Sequence, residues 1–418
     1  MDKFVIDGGR KLYGSVRVQS AKNSVLPLFA ASILTDQPVT IRETPMITDA
    51  ACMAQILREL GAEVRFHGAD VTIDSSNACC HEISSALTKE LRSSVFMLGS
   101  LLTRFHRALI AYPGGCDIGL RPIDLHLNAL KRLGVEITEK EGYIFCHCDN
   151  LRGADIVLDF PSVGATENIL LAAVKAEGTT VLQGAAKEPE IVDLQNFLNA
   201  MGAKVHGAGT DVIQIEGVKS LGGVTYKPIK DRIEAGTFLI ACAICGGEVE
   251  VAGVQAENIG LLLHKLRENG CKIHIKNDKI RIESNSRLKC NRRIETMPFP
   301  GFPTDLQAQA TALNAVCEGG ALIVENLFET RFKYVPELQK MGADIEVRGR
   351  NAFVRGVKSL HGASVVAGDL RGGAALVLAA LAAEGTSEVL DLSHIDRGYA
   401  DLQGKLKSLG AEVRRVRI

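Results

Sequence analysis

Two hydrophobic rhythms alternate along the chain. One is the three-to-four-residue spacing of an amphipathic helix, and the other is the every-second-residue pattern of a half-buried strand. They meet in a phrase that recurs six times. The first three copies are Leu57-Arg-Glu-Leu-Gly61-Ala-Glu-Val, Leu130-Lys-Arg-Leu-Gly134-Val-Glu-Ile and Leu198-Asn-Ala-Met-Gly202-Ala-Lys-Val. The last three are Leu266-Arg-Glu-Asn-Gly270-Cys-Lys-Ile, Leu338-Gln-Lys-Met-Gly342-Ala-Asp-Ile and Leu406-Lys-Ser-Leu-Gly410-Ala-Glu-Val. In each, a helix ends, glycine takes the left-handed position beyond its last turn, and an alternating strand begins. The glycines lie 73, 68, 68, 72 and 68 residues apart, which makes the chain a repeat of one unit.

A second recurrence falls between the first. Leu170 to Leu182, Ile240 to Val251, Leu313 to Val324 and Leu378 to Leu390 each run from an Ala/Leu-rich stretch through a polar or glycine break into β-branched residues. The repeat therefore holds two helices and several strands, enough for closed α/β domains rather than a solenoid. Six units divide into two globules of three, with the break near Tyr226 to Lys230. The predicted domains are 22–229 and a second one made of 1–21 with 230–418. The strands at Phe4 to Ile6 and Val413 to Ile418 have no other evident partner and are expected to pair. Two globules joined by two crossings predict a cleft between them, a common setting for a ligand site.

Composition narrows the function. With 48 basic against 49 acidic residues the net charge is −1, and aromatic residues make up 5% with no tryptophan. Bulk attraction to nucleic acid or an anionic membrane is thereby disfavoured, so a bound anion must be caught by cations gathered locally. The apolar runs Phe238 to Cys245 and Ala374 to Ala383 are too short to span a bilayer. Charges at Asp2, Lys3 and Asp7 occupy the place of a signal peptide's apolar core, so a cytoplasmic protein is expected. Eleven scattered cysteines are expected as reduced thiols. Cys79-Cys80-His81, Cys146-His147-Cys148 and Cys242-x-x-Cys245 lack a second pair at zinc-site spacing, and core packing is the expectation for all three.

No Walker A or dinucleotide fingerprint is present, since Gly207-Ala-Gly209 leads into a strand pattern, and His81-Glu82 has no second histidine four residues after the first. What stands out is polar chemistry at loops and element ends. Pro113-Gly-Gly-Cys116-Asp-Ile-Gly-Leu-Arg121-Pro122 sets a thiol and an arginine on a glycine-rich loop, where a reactive cysteine is expected; an incidental surface cysteine fits the same residues. Lys22 sits at a helix start, unfavourable for a cation unless an anion joins it. Arg92 opens another helix. Pro300 to Asp305 delivers a carboxylate to a helix N-terminus, where it serves equally as an N-cap. Arg331, Arg371 and Arg397 mark repeat edges, and solvated surface arginines are the alternative. His126 and His394 read as structural histidines.

Taken together, these segments resemble the enolpyruvyl transferases that act on UDP-N-acetylglucosamine, over the whole chain. The resemblance is carried by Ala21-Lys22-Asn23, Pro113 to His126, Ser162-Val-Gly-Ala-Thr166, Glu188-Pro-Glu-Ile-Val192 and Asp231-Arg-Ile-Glu234. It continues in Phe302-Pro-Thr-Asp305, Phe328-Glu-Thr-Arg331-Phe332, Val335-Pro-Glu-Leu338, Asp369-Leu-Arg371 and His394-Ile-Asp-Arg-Gly398. It implies an α/β fold of two inside-out α/β barrels, each of three βαβαββ-type units, with the active site in the interdomain cleft. It also implies transfer of the enolpyruvyl group of phosphoenolpyruvate to the 3′-hydroxyl of UDP-N-acetylglucosamine, in cytoplasmic peptidoglycan synthesis. The route is addition and elimination through a tetrahedral ketal, with no metal or organic cofactor.

The resemblance assigns residues as well. Lys22, Arg121 and Arg397 would bind phosphoenolpyruvate, with Arg92, Arg331 and Arg371 around the anionic cleft and Asp369 among the substrate contacts. Cys116 would donate the proton to the methylene carbon and be the target of the epoxide antibiotic fosfomycin. Asp305 would be the base at the sugar hydroxyl. The nucleotide sugar would rest on Arg121, Pro122, Ile123, Asp124, Leu125, Ser162, Val163 and Gly164 and near Leu327, with Asn23 holding the sugar. Phe160 stands where a lysine is often found, and Gly372-Gly373 is expected to loosen the helix it opens. Two other activities fit the same family: transfer to shikimate 3-phosphate, or non-catalytic binding of the nucleotide sugar. Retention of Lys22, Cys116, Asp305 and Arg397 argues against the second.

Overall fold

The computed structural model describes residues 2–114, 123–284 and 287–417. They form two compact units, one from residues 2–19 and 230–417 and the other from 20–114 and 123–229. Each unit has its own apolar core.

One copy of the repeat shows the plan. Strand Arg293–Glu295 leads to helix Gln307–Val316, strand Gly320–Val324, helix Val335–Lys340 and a hairpin of Asp344–Arg348 with Asn351–Arg355. The first two strands are parallel, with Ile294 opposite Ile323. The others are antiparallel, with Leu322 opposite Phe353 and Val347 opposite Ala352.

Two further copies complete the first unit by borrowing distant strands. Leu12–Arg17 runs parallel to Gly247–Ala252, with Val16 opposite Val251. Strand Asp2–Asp7 lies between Thr386–Leu390 and Glu412–Arg417, with Phe4 opposite both Val389 and Arg415. The pairing expected of the first and last strands is thus present over the described residues. The second unit closes the same way: Val224–Tyr226 supplies the strand parallel to Val39–Ile41. Its middle sheet has three strands, with an isolated parallel bridge from Glu82 to Leu109 where the other copies have a fourth.

The first helix of each copy explains why sheets lie outside and helices inside. Leu370–Ala382 is buried continuously from Arg371 to Leu381, and Arg232–Cys245 from Arg232 to Ala243. A helix apolar on every side belongs in an interior. In the first unit Arg232–Cys245, Gln307–Val316 and Leu370–Ala382 pack on one another. The strands alternate, as in Val212–Glu216 where Ile213 and Ile215 are buried and their neighbours exposed. Phe238 is fully buried, and truncating such a phenylalanine costs about 3–5 kcal/mol. All six phrase glycines adopt positive φ, at 96°, 94°, 101°, 109°, 92° and 92° in chain order, the conformation that a helix-ending glycine supplies.

Candidate active site

Asp305 lies in the 3-10 turn Thr304–Leu306, just before helix Gln307–Val316. Its carboxylate is clamped: Arg331 Nη2 lies 2.9 Å from Oδ1 and Arg371 Nη2 lies 3.0 Å from Oδ2. The arginine side chains are 3% and 4% exposed, against 27% for Asp305. The surface alternative for these two arginines therefore fails, and so does the plain N-cap for Asp305. Burial pulls the Arg371 pKa down, but Asp305, Tyr399 and Asp231 more than offset it, leaving the guanidinium above its ordinary value. Arg371 also lies over the ring of buried Tyr399, 5.5 Å from its centroid, a cation–π contact.

The helix that delivers Arg371 is fixed at its start. Asp369 Oδ1 accepts from the amides of Arg371 at 3.0 Å and Gly372 at 2.9 Å, satisfying two donors that have no intrahelical partner. The helix is regular from Leu370 to Ala382, through Gly372-Gly373. A Cβ on Gly373 would come within 2.8 Å of Ile395 Cγ1 and 2.9 Å of Ala367 Cβ, and one on Gly372 within 3.0 Å of Tyr334 Cβ. The glycines are there for close approach. Arg397 follows the short helix Ser393–Asp396 and is half-buried. His394 Nε2 lies 3.7 Å from Asp391 Oδ2 near the surface.

In the second unit, Lys22 is the first residue of helix Lys22–Ala31, whose N-cap Ala21 offers no side-chain oxygen. The anion that this placement calls for is Asp49, whose Oδ2 lies 2.6 Å from Nζ. Asn23 follows Lys22, half-buried in the first turn. Arg92 donates to the carbonyl of Pro113 at 3.3 Å. Ser162 caps helix Val163–Ala173 through the Ala165 amide at 3.3 Å. Gly164 packs so closely on His126 that a Cβ would sit 3.0 Å from Cε1.

Asn168 links these elements. Its Oδ1 accepts from the Gly99 amide at 2.6 Å, and Nδ2 reaches His126 Nδ1 at 3.2 Å. With the amide oriented that way, Nδ1 accepts and the neutral ring carries its proton on Nε2. The helix Asp124–Arg132 packs on Val163–Ala173, Leu125 and Val163 pack against the same apolar core, and Ile123 lies within it. Cys116, Arg121 and Pro122 lie outside the described residues.

The cysteines divide. Burial pushes Cys146 and Cys242 up to about 12, which suits inert packing thiols. Cys79 and Cys80 depart from that expectation, being exposed with their sulfurs 4.0 Å apart. Two residues of consequence escaped the sequence reading: Asp49, beneath Lys22, and Glu325. Glu325 is a carboxylate directly after the half-buried apolar strand Gly320–Val324, and that abrupt change of polarity was its only signal.

Residues 6–406 match the family model described as EPSP synthase (3-phosphoshikimate 1-carboxyvinyltransferase). The chain belongs to the enolpyruvyl transferase family. Among members, UDP-N-acetylglucosamine 1-carboxyvinyltransferase 2 of Caldanaerobacter subterraneus subsp. tengcongensis is 51% identical over 416 residues, with all of both chains covered. UDP-N-acetylglucosamine 1-carboxyvinyltransferase 1 of Symbiobacterium thermophilum is 50% identical over 421 residues, covering 99% of this chain and 95% of that one. The solved enolpyruvyl transferase NikO of Streptomyces tendae superposes with a TM-score of 0.89 at 27% identity, over 99% and 98% of the two chains. EPSP synthase of Acinetobacter baumannii, at 18% identity and TM-score 0.77 over the full length of both chains, shares the fold. The two α/β units of this enolpyruvyl transferase are thus those of its family.

Proposed function

We propose that the chain transfers the enolpyruvyl group of phosphoenolpyruvate to the 3′-hydroxyl of UDP-N-acetylglucosamine and releases phosphate, the first committed step of cytoplasmic peptidoglycan synthesis. The observation that carries this is the 51% identity, over the whole chain, to a relative named for that reaction.

The chemistry divides among the residues that the resemblance assigns. In the addition step the sugar oxygen bonds to C2 of phosphoenolpyruvate, its proton passes to Asp305, and C3 gains a proton from Cys116. In the elimination step the C2–O bond to phosphate breaks and C3 gives a proton back. Lys22, Arg121 and Arg397 hold the phosphate and carboxylate, with Arg92 among the cations. Arginine suits this task because its planar fork pairs with both groups. Clamping by Arg331 and Arg371 gives Asp305 one orientation, which favours a base that must meet a single hydroxyl. Arg331 Nε and Arg371 Nη1 have no hydrogen-bond partner among the described residues, a cost that an approaching anion would offset. Asn23, Ile123, Asp124, Leu125, Ser162, Val163, Gly164 and Leu327 meet the nucleotide sugar, with Arg121 and Pro122, and Asp369 holds Arg371 in place.

The test is phosphate release from phosphoenolpyruvate with UDP-N-acetylglucosamine and, separately, with shikimate 3-phosphate. Release that requires the nucleotide sugar is expected. Release with shikimate 3-phosphate alone would replace this function with the one named in the family description.

A further inference from the structure

Glu325 is fully buried, and no part of the chemistry above uses it. Its carboxylate accepts four hydrogen bonds. Oε1 takes the Thr296 hydroxyl at 2.9 Å, the Leu327 amide at 2.9 Å and the Phe328 amide at 3.2 Å, while Oε2 takes the Thr304 hydroxyl at 3.0 Å. Thr296 Oγ1 itself accepts from the Asn326 amide at 2.9 Å, so its proton is directed to Glu325. An ionised carboxylate is acceptor-only, with about four sites. Four donors fill the acceptor sites of the Glu325 carboxylate.

What these donors belong to gives the arrangement its meaning. Thr304 is bonded to Asp305, the proposed base. Arg331 grips the same pair from the other side, donating to the Thr304 carbonyl at 3.1 Å and to Asp305 at 2.9 Å. Leu327 begins the turn proposed to meet the sugar. Glu325 is itself anchored through its amide, which donates to Arg350 O at 2.8 Å, and the adjoining strand lies in the sheet.

We propose that Glu325 is a positioning residue that holds the base-bearing turn at Thr304 and the sugar-facing turn at Leu327–Phe328 in one frame. It fixes the reach of Asp305 to the acceptor hydroxyl without touching substrate. The inference rests on the function proposed above. Proximity alone would be satisfied by any side chain of the right size; a frame for proton transfer depends on the hydroxyl bond at Thr304.

The experiment compares Thr304→Val, Thr304→Ser and Glu325→Gln with the unmodified protein, by steady-state turnover and thermal melting. Val keeps the volume and loses the hydroxyl, whereas Ser keeps the hydroxyl and loses a methyl. The expected result is a kcat about tenfold lower for Thr304→Val, the scale of one lost hydrogen bond to a charged group. KM for phosphoenolpyruvate should stay within about twofold, because its proposed cations lie on other residues. Thr304→Ser should return close to unmodified turnover, and Glu325→Gln should follow Val, since an amide nitrogen in place of Oε2 cannot accept from the Thr304 hydroxyl. A Ser variant worse than Val, or a loss confined to KM for phosphoenolpyruvate, would overturn the proposal while leaving the function intact. Silence of the unmodified protein with UDP-N-acetylglucosamine would remove the function, and the proposal with it.

Discussion

Lys22 and Asp49 form an ion pair of 2.6 Å between the starts of two successive helices, with side chains 12% and 5% exposed. A helix N-terminus disfavours a cation, and Asp49 offsets that by sitting in the first turn of its own helix, where an anion is welcome. Asp49→Asn is expected to destabilise the protein by about 2–4 kcal/mol, the scale of breaking a largely buried pair from one side. It should also raise KM for phosphoenolpyruvate several-fold by releasing Lys22 from its set position. Chemical denaturation and initial-rate kinetics on one preparation check both.

Asp305 meets two buried arginines with its two oxygens. Asparagine would offer an oxygen to one and an N–H to the other, breaking the clamp and removing the base together. Asp305→Asn should lower kcat by about two or more orders of magnitude, the range of general-base catalysis. An unchanged kcat, measured with saturating substrates, would remove Asp305 from the proton transfer.

Glu234 is wholly buried, pairs with Lys405 at 2.6 Å and accepts from the Gln19 amide at 2.6 Å. Burial raises its carboxyl from the ordinary 4.5 to about 7, against the lowering effect of Lys405. The folded state therefore holds this proton more tightly than the unfolded chain. Its contribution to stability is full below about pH 4.5 and is lost as pH rises towards about 7. Urea midpoints taken from pH 5 to 8 should fall less steeply for Glu234→Gln than for the unmodified protein. Parallel curves would show that Glu234 does not titrate there.

Cys116 carries a purely chemical prediction. If it is the alkylated thiol, fosfomycin inactivates the unmodified protein and a mass increase maps to Cys116. Cys116→Asp should keep turnover, since a carboxyl can also deliver the proton, and escape inactivation. Continued inactivation of that variant would assign the reactive thiol elsewhere.

Gly373→Ala tests the opposite of helix propensity. Alanine in a helix is ordinarily favoured over glycine by about 1 kcal/mol. Here its Cβ would meet Ile395 and Ala367 at under 3.0 Å, so a loss of about 1–3 kcal/mol from overpacking is expected. Thermal unfolding decides between the two signs.

The same glycine shows where a sequence stops being readable. Propensity is a property of one residue and its neighbours in the chain, so Gly372-Gly373 read as a weakness; the packing that requires them comes from Tyr334, Ala367 and Ile395. Local signals fared well. The six glycines after helices, the alternating strands and the apolar helix runs are patterns within a few residues of chain, and the repeat displayed the first six times and the last four. Lys22 was legible as a cation needing an anion, but its partner lay in the next helix, 27 residues on. For Arg331 and Arg371 a solvated surface stayed open as the alternative, because burial of a guanidinium depends on a carboxylate that lies 26 and 66 residues away in the chain. Glu325 was invisible for the same reason: its four donors come from three separate stretches of chain. Cys79 and Cys80 were misjudged because a cysteine's usual burial says nothing of a particular surface turn.

The placement of strand Asp2–Asp7 between Thr386–Leu390 and Glu412–Arg417 also sets a timetable. A ribosome adds about 5–20 residues per second, so the first strand made waits roughly 20–80 s for its neighbours. The second unit closes sooner, since every strand it pairs, Val224–Tyr226 included, is synthesised before residue 229. From residue 229 until strand Glu412–Arg417 is made, the nascent chain carries a complete insert inside an incomplete host.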